Sequence, residues 1–293
     1  MLSQVRKIRI RCGQGLGDSL YLQAVVAHLL KHGQNNLEVC SDWPDVFSHL
    51  NPRKVTKKDG SVQMNPGGAF DIAPFARSRI DVVAHYSGRK TVKGTSQMED
   101  CFISAKLPPI LNPELKWRIT NPELTGRIQK AAGARRIVFF QHLRPPMDRK
   151  DGFGDEMVPS QYSVADVLSA LKRDGDTFVI KIGQGESLDS VPFDMDLRNR
   201  LTVKELLDVA CVSDLFVGQC SLIIPLSECL GIPCVILFGH GIRSASHPFI
   251  RSICPEKLLL RHNRNGCIEL GLWDDDREIK TKVQNWFAGL RIC

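Results

Sequence analysis

The run Asp214-Leu-Phe-Val-Gly-Gln-Cys-Ser-Leu-Ile-Ile-Pro-Leu-Ser-Glu-Cys-Leu-Gly-Ile-Pro-Cys-Val-Ile-Leu-Phe-Gly239 constrains the fold more than any other part of the chain. Leu215 to Gly218 is a short apolar run ending in glycine. Ser221 is placed to cap a helix. Gly231 and Pro233 stop that helix and begin a second apolar run, Cys234 to Phe238. The stretch reads as strand, tight loop, helix, turn, strand. A strand that feeds a capped helix N-terminus is where α/β proteins hold nucleotide phosphates. Phe216 to Phe238 is of a length that could cross a membrane. Pro225, Glu228, Gly231 and Pro233 interrupt it, which favours a buried strand–helix–strand unit.

The same alternation runs through the rest of the sequence. Lys7 to Cys12 alternates charged and apolar residues as a strand does, and Leu20 to His32 has helical spacing and stops at Gly33. Leu37 to Cys40 and Ile80 to Ala84 read as strands, and 51–68, rich in proline and glycine, as a long loop. Asn112 to Pro122 looks like the approach to a linker, with the domain boundary near 120–135. Strands then recur at Arg136–Gln141 and Thr177–Ile182, and helices at Val164–Arg173 and Val203–Val212. Thr202 and Glu205 stand at capping-box spacing. Such alternation implies parallel sheets. The expected division is a first Rossmann-like domain over 1–130, a second over 131–275, and a C-terminal helix over 274–293 packing back towards the first. Asp274-Asp275-Asp276 opens that helix, where its dipole favours negative charge.

A chain of 293 residues suits two domains, and 43% hydrophobic with 24% charged residues marks it as globular. The first ten residues lack a signal-peptide core. Ten cysteines occur without a Cys-X-X-Cys pair, which argues against a zinc site and for reduced, buried thiols in a cytoplasmic protein, in a host's cytoplasm if virus-encoded. The net charge of +7 is one-sided: 19 Lys+Arg face 11 Asp+Glu up to residue 133, and 20 face 21 thereafter. A first half carrying +8 favours an anionic partner, with peripheral contact at a membrane surface also open.

Gly13-Gln-Gly-Leu-Gly-Asp18 follows the first strand. A nicotinamide fingerprint needs a third glycine where Asp18 stands, and a carboxylate there would repel a pyrophosphate, so a dehydrogenase is excluded. Locally, Asp18 is a helix cap. Gly-Leu-Gly-Asp before an apolar helix, together with the Leu-Gly-Ile-Pro turn and Leu-Phe-Gly ending of 214–239, resembles the heptosyltransferases of glycosyltransferase family 9. Those are enzymes of the GT-B fold, in which two Rossmann-like α/β domains with parallel sheets face a cleft.

The resemblance implies an inverting, metal-independent glycosyltransferase that uses a nucleotide-diphosphate sugar as substrate and needs no cofactor. It gives Asp18 the role of general base on the acceptor hydroxyl, with Gly15, Leu16 and Gly17 as the acceptor-side loop. On the donor side it points to His142, Arg144 and Lys150 after Arg136–Gln141. Basic residues there suit a leaving diphosphate that gains charge. It points also to Glu186, after Gly183-Gln-Gly185, for the ribose, and to Gln219, Cys220 and Ser221. The sequence departs from the family at 218–225, where Gly-Asn-Asp-Ser-Gly-Pro-X-His is usual: Cys220 replaces the sugar-contacting acid, Leu222 the glycine and Pro225 the histidine. The acceptor expected from family and charge is a phosphorylated saccharide such as a lipopolysaccharide core. A modified base in DNA, a nucleotide-sugar 2-epimerase and a degenerate sugar-nucleotide-binding protein remain as alternatives.

Overall fold

The computed structural model describes residues 7–13, 15–56, 80–84, 97–108, 117–141, 161–173, 175–184, 193–219, 222–237, 267–270, 281, 283–285 and 288. They fall into two compact units, the first ending at Trp117 and the second beginning at Arg118.

The first unit contains β1 (Ile8–Arg11), α1 (Leu16–Lys31), β2 (Leu37–Cys40), a 3-10 turn at Pro44–Phe47, β3 (Lys54–Thr56), β4 (Ile80–Val83) and α2 (Gln97–Ser104). Its sheet runs in the order β3-β2-β1-β4, all parallel, with Ile10 beside Val39 and Val82. Leu20, Leu22, Val25 and Val26 of α1 are fully buried with Ile10, Leu37 and Val39. The helix ends at Lys31, and Gly33 takes the left-handed conformation (φ 80°) that closes it. The charged positions of β1 are not on a solvent face. Arg9 and Arg11 are buried, Arg9 donates to Cys40 Sγ at 3.0 Å, and buried Glu38 pairs with Lys7 at 3.1 Å. A parallel sheet covered on both faces buries whatever its strands carry.

The second unit is larger. It holds α3 (Pro122–Ala132), β5 (Arg136–Gln141), α4 (Gln161–Lys172), β6 (Thr177–Ile182), β7 (Met195–Asp196), α5 (Val203–Cys211), β8 (Leu215–Gln219), α6 (Ile223–Leu230), β9 (Cys234–Leu237) and β10 (Cys267–Leu270). The six strands are parallel in the order β10-β9-β8-β5-β6-β7. Counted within the unit, that is the 3-2-1-4-5-6 order of a Rossmann sheet. Its core includes Val138, Phe140, Leu168, Val179, Val217, Val235 and, from the C-terminal region, Val283. The rest of the segment expected as a C-terminal helix lies almost wholly outside the described residues.

Local chemistry explains several boundaries. Thr202 and Glu205 form the expected capping box, with Thr202 Oγ1 accepting the Glu205 N–H at 3.3 Å and Glu205 Oε2 accepting the Thr202 N–H at 2.9 Å. Asp214 ties β8 to β5: it donates its N–H to Ile137 O at 2.8 Å, and its Oδ2 accepts the Ile137 N–H at 2.7 Å. Gly231 ends α6 in the left-handed region (φ 69°).

Three elements differ from the sequence reading. The helix expected from Leu20 starts at Leu16, β3 lies inside the stretch read as loop, and α2 carries no sequence expectation. Residues 122–132, in the stretch read as the domain boundary, form α3. Among the described residues six cysteines are free, and five of them are buried. Burial, reinforced by Glu228, holds the Cys229 thiol well above its usual range, and burial with Asp208 pushes Cys211 up to about 11. Both are inert thiols near neutral pH. No helix among the described residues is long and apolar enough to cross a membrane.

Candidate functional site

In open parallel sheets, ligands bind beyond the C-terminal ends of the strands where the strand order reverses. The first sheet reverses between β1 and β4, and the second between β5 and β8. The sequence motifs sit on these two places.

In the first unit β1 runs into Cys12 and Gly13, and Gly15 is the N-cap of α1. Asp18 is the third residue of the helix, half-buried, and its Oδ2 accepts the Gly15 N–H at 3.0 Å. Asp18 is therefore not the N-cap itself. It reaches back to the cap from the first turn, where the helix dipole also favours a carboxylate. A Cβ at Gly15 would lie 3.0 Å from that Oδ2, so glycine permits the close approach. Leu16 and Gly17 complete the turn and are half-buried. Burial, then the charges of Asp18 and Asp42, hold the Cys12 thiol well above its usual range. Two carboxylates thus act on the end of β1, one from α1 and one from the segment after β2.

In the second unit the reversal is built from Gln141, Gly218 and Gln219. Both glutamines are largely buried, at 6% and 9% exposure. A Cβ added to Gly218 would stand 2.8 Å from Gln141 Cβ, closer than such atoms approach, so glycine lets the two strand ends meet. Gly218→Ala is expected to cost about 1–3 kcal/mol by forcing β5 and β8 apart. Urea unfolding measures it, and wild-type stability would mean that Gln141 simply moves aside. The sequence reading gives Gln141 the end of a strand and no site role, since a glutamine closing an apolar strand has no local signature of a site.

Of the donor-side candidates only Gln219 is described. His142, Arg144, Lys150, Glu186, Cys220 and Ser221 lie outside the described residues, as does the Asp274–Asp276 run. The segments that carry the first six begin at the ends of β5, β6 and β8, three adjacent strands of one parallel sheet. The helix after β8 starts at Ile223, with Leu222 in the cap position and no side-chain cap bond. A cavity of about 260 Å³ lies elsewhere, where Asn121, Leu124, Arg127, Leu197, Arg200 and Glu205 meet near the edge strand β7. It touches neither reversal point, and the strand-order argument places the chemistry away from it.

No protein-family model matches the sequence, and no curated protein matches it. Solved structures do match. The E. coli ADP-heptose lipopolysaccharide heptosyltransferase II superposes with a TM-score of 0.56 at 13% identity, over 97% of this chain and 98% of that one. A glycosyl transferase family 9 protein from Veillonella parvula gives 0.57 at 11% identity, over 94% and 89%. The iron-containing dodecameric glycosyltransferase TibC from enterotoxigenic E. coli gives 0.51 at 13%, over 89% and 76%. The fold is GT-B. Within the GT-B frame each unit is one Rossmann-like sheet, Asp18 belongs to the first and Gln219 to the second. At 11–13% identity the likeness speaks for the fold, and residue roles rest on the chemistry.

Proposed function

We propose that this chain moves a sugar, with inversion, from a nucleotide-diphosphate donor to a phosphorylated saccharide acceptor. The observation that carries the reading is the carboxylate of Asp18, held on the first turn of α1 at the point where the first sheet of a GT-B fold reverses its strand order. An inverting transfer needs one carboxylate beside the acceptor hydroxyl. The hydroxyl oxygen bonds to the anomeric carbon as the bond to the diphosphate breaks, and Asp18 takes the hydroxyl proton. The leaving diphosphate gains charge, which Arg144, Lys150 and the start of α6 near Ser221 would meet by charge-assisted hydrogen bonds. In this reading the cations of the chain do what a metal would otherwise do. The saccharide acceptor is supported by the +8 first half and by the lipopolysaccharide substrate named for the heptosyltransferase of like fold.

The test is a thermal-shift panel of nucleotide sugars followed by transfer assays with the donor that binds. A ligand at ~100 times its dissociation constant stabilises by ~2.7 kcal/mol. With that donor, Arg144→Ala and Lys150→Ala should each weaken the nucleoside diphosphate and its sugar conjugate together, by roughly tenfold to a hundredfold, because both ligands share the diphosphate. Unchanged affinity in both variants would return these residues to ordinary surface. Transfer to modified DNA but not to a phosphorylated saccharide would overturn the acceptor.

A further inference from the structure

Between the segment after β2, α1 and the end of β1 runs a chain of small polar groups that the transfer reaction does not itself require. Trp43 donates its N–H to Ser41 Oγ at 3.0 Å. Ser41 Oγ and Ser19 Oγ are 2.7 Å apart, Ser19 Oγ lies 3.8 Å from Cys12 Sγ, and Cys12 donates to Gly13 O at 3.2 Å. All three side chains are buried: Ser19 at 0%, Ser41 at 2% and Cys12 at 1% exposure.

The chain has one direction. Each hydroxyl or thiol carries a single proton. Cys12 spends its proton on Gly13 O, so the Cys12–Ser19 contact requires Ser19 to donate. Ser19 is then the acceptor from Ser41, and Ser41 accepts from the Trp43 N–H. Protons thus point from the segment after β2, through α1, to the carbonyl that starts the loop at β1. Directed chains of this kind polarise and strengthen their members in a buried setting.

We infer that Ser41, Ser19 and Cys12 are positioning residues for Asp18: together they hold the Gly13 carbonyl at the end of β1, and so the place from which the chain enters α1 at Gly15, whose N–H holds the Asp18 carboxylate. The arrangement needs a neutral thiol at Cys12, and burial with the charges of Asp18 and Asp42 supplies that condition. The titratable groups acting on Cys12 among the described residues are Asp18, Asp42 and Cys40. The role assigned here to Asp18 rests on the proposed function, whereas the hold on its carboxylate does not.

The experiment uses the full chain with Ser41→Ala, Cys12→Ala and Cys12→Ser. Its first readout is the titration of the Asp18 carboxyl by carbon NMR, which needs no substrate. A hydrogen bond to the ionised form lowers a carboxyl pKa, so loosening the Gly15 N–H should raise it. Ser41→Ala and Cys12→Ala are expected to raise the Asp18 pKa. Cys12→Ser, which keeps a donor for Gly13 O, should leave it where the wild type has it. The second readout is turnover: the two alanine variants should lose about tenfold in kcat with unchanged donor affinity, and their acid limb should move to higher pH. An unchanged Asp18 titration in both alanine variants overturns the inference. If the titration moves as expected but Asp18→Asn retains full turnover, the chain still holds Asp18 and only the general-base reading fails.

Discussion

Asp18→Asn is expected to cut turnover by roughly 100-fold or more while leaving affinity for the donor nucleotide nearly intact. Asparagine has the shape of aspartate and still offers an oxygen to the Gly15 N–H, so the 3.0 Å bond that closes the first turn of α1 survives in kind. What is lost is the ability to take a proton, and with it the charge that favours the attacking hydroxyl. Helix stability should change little, because a carboxylate near an N-terminus is worth about 0.3–1 kcal/mol at an accessible site. In the proposed reading the cap and the base are not rival descriptions of Asp18, because the bond to Gly15 would hold the carboxylate that acts on the acceptor. Steady-state transfer and donor calorimetry on the same preparation separate the two. Full turnover in the asparagine variant would leave Asp18 as a cap alone.

Gly15→Ala probes the same geometry more gently and clarifies what the sequence was able to reveal. The Gly-Leu-Gly-Asp pattern marks the loop, and helical spacing places the start of the helix near Leu20. The structure begins α1 at Leu16, because the Asp18 carboxylate bonds the Gly15 N–H and offsets the cost of Gly17 in the first turn. Where local signals agree, the reading held: the Thr202–Glu205 box starts α5 within one residue, and Gly231 ends α6. Where the decisive contact is distant in sequence it was invisible. Nothing local says that Gln141 abuts Gly218, or that Ser41 lies 2.7 Å from Ser19. The alternation of Lys7 to Cys12 gave the strand but not its surroundings, since Arg9 and Arg11 are buried rather than solvated. Serine, cysteine and glutamine carry no periodic signal of their own. Their roles come from which strand ends the topology makes neighbours.

The largest effect on stability is expected from Asp208→Ala, at about 3–5 kcal/mol. Asp208 is on α5, fully buried, and it holds the chain where it enters the second unit. Its carboxylate accepts the Thr120 N–H at 3.0 and 3.1 Å, the Thr120 hydroxyl at 2.7 Å and the Asn121 N–H at 2.8 Å. Asn121 in turn caps α3, accepting the Leu124 N–H at 3.0 Å, and donates to Glu205 Oε1 at 3.0 Å. One carboxylate thereby sets the entry of the chain and the start of α3, and through Asn121 it joins the cap of α5. Alanine leaves two amide donors and a hydroxyl without their acceptor. A stranded group costs about 1–3 kcal/mol where water cannot reach it, and water at exposed Thr120 and half-buried Asn121 recovers part of the sum. Asp208→Asn should fall between, because its amide keeps one oxygen for the Thr120 and Asn121 N–H groups and loses the other. The measure is the urea midpoint of the full chain, with Lys130→Ala as an exposed control expected within about 0.5 kcal/mol of wild type. A loss below 1 kcal/mol for Asp208→Ala would show that Thr120 and Asn121 find other partners, and that the entry to the second unit is held by apolar packing of α3 instead.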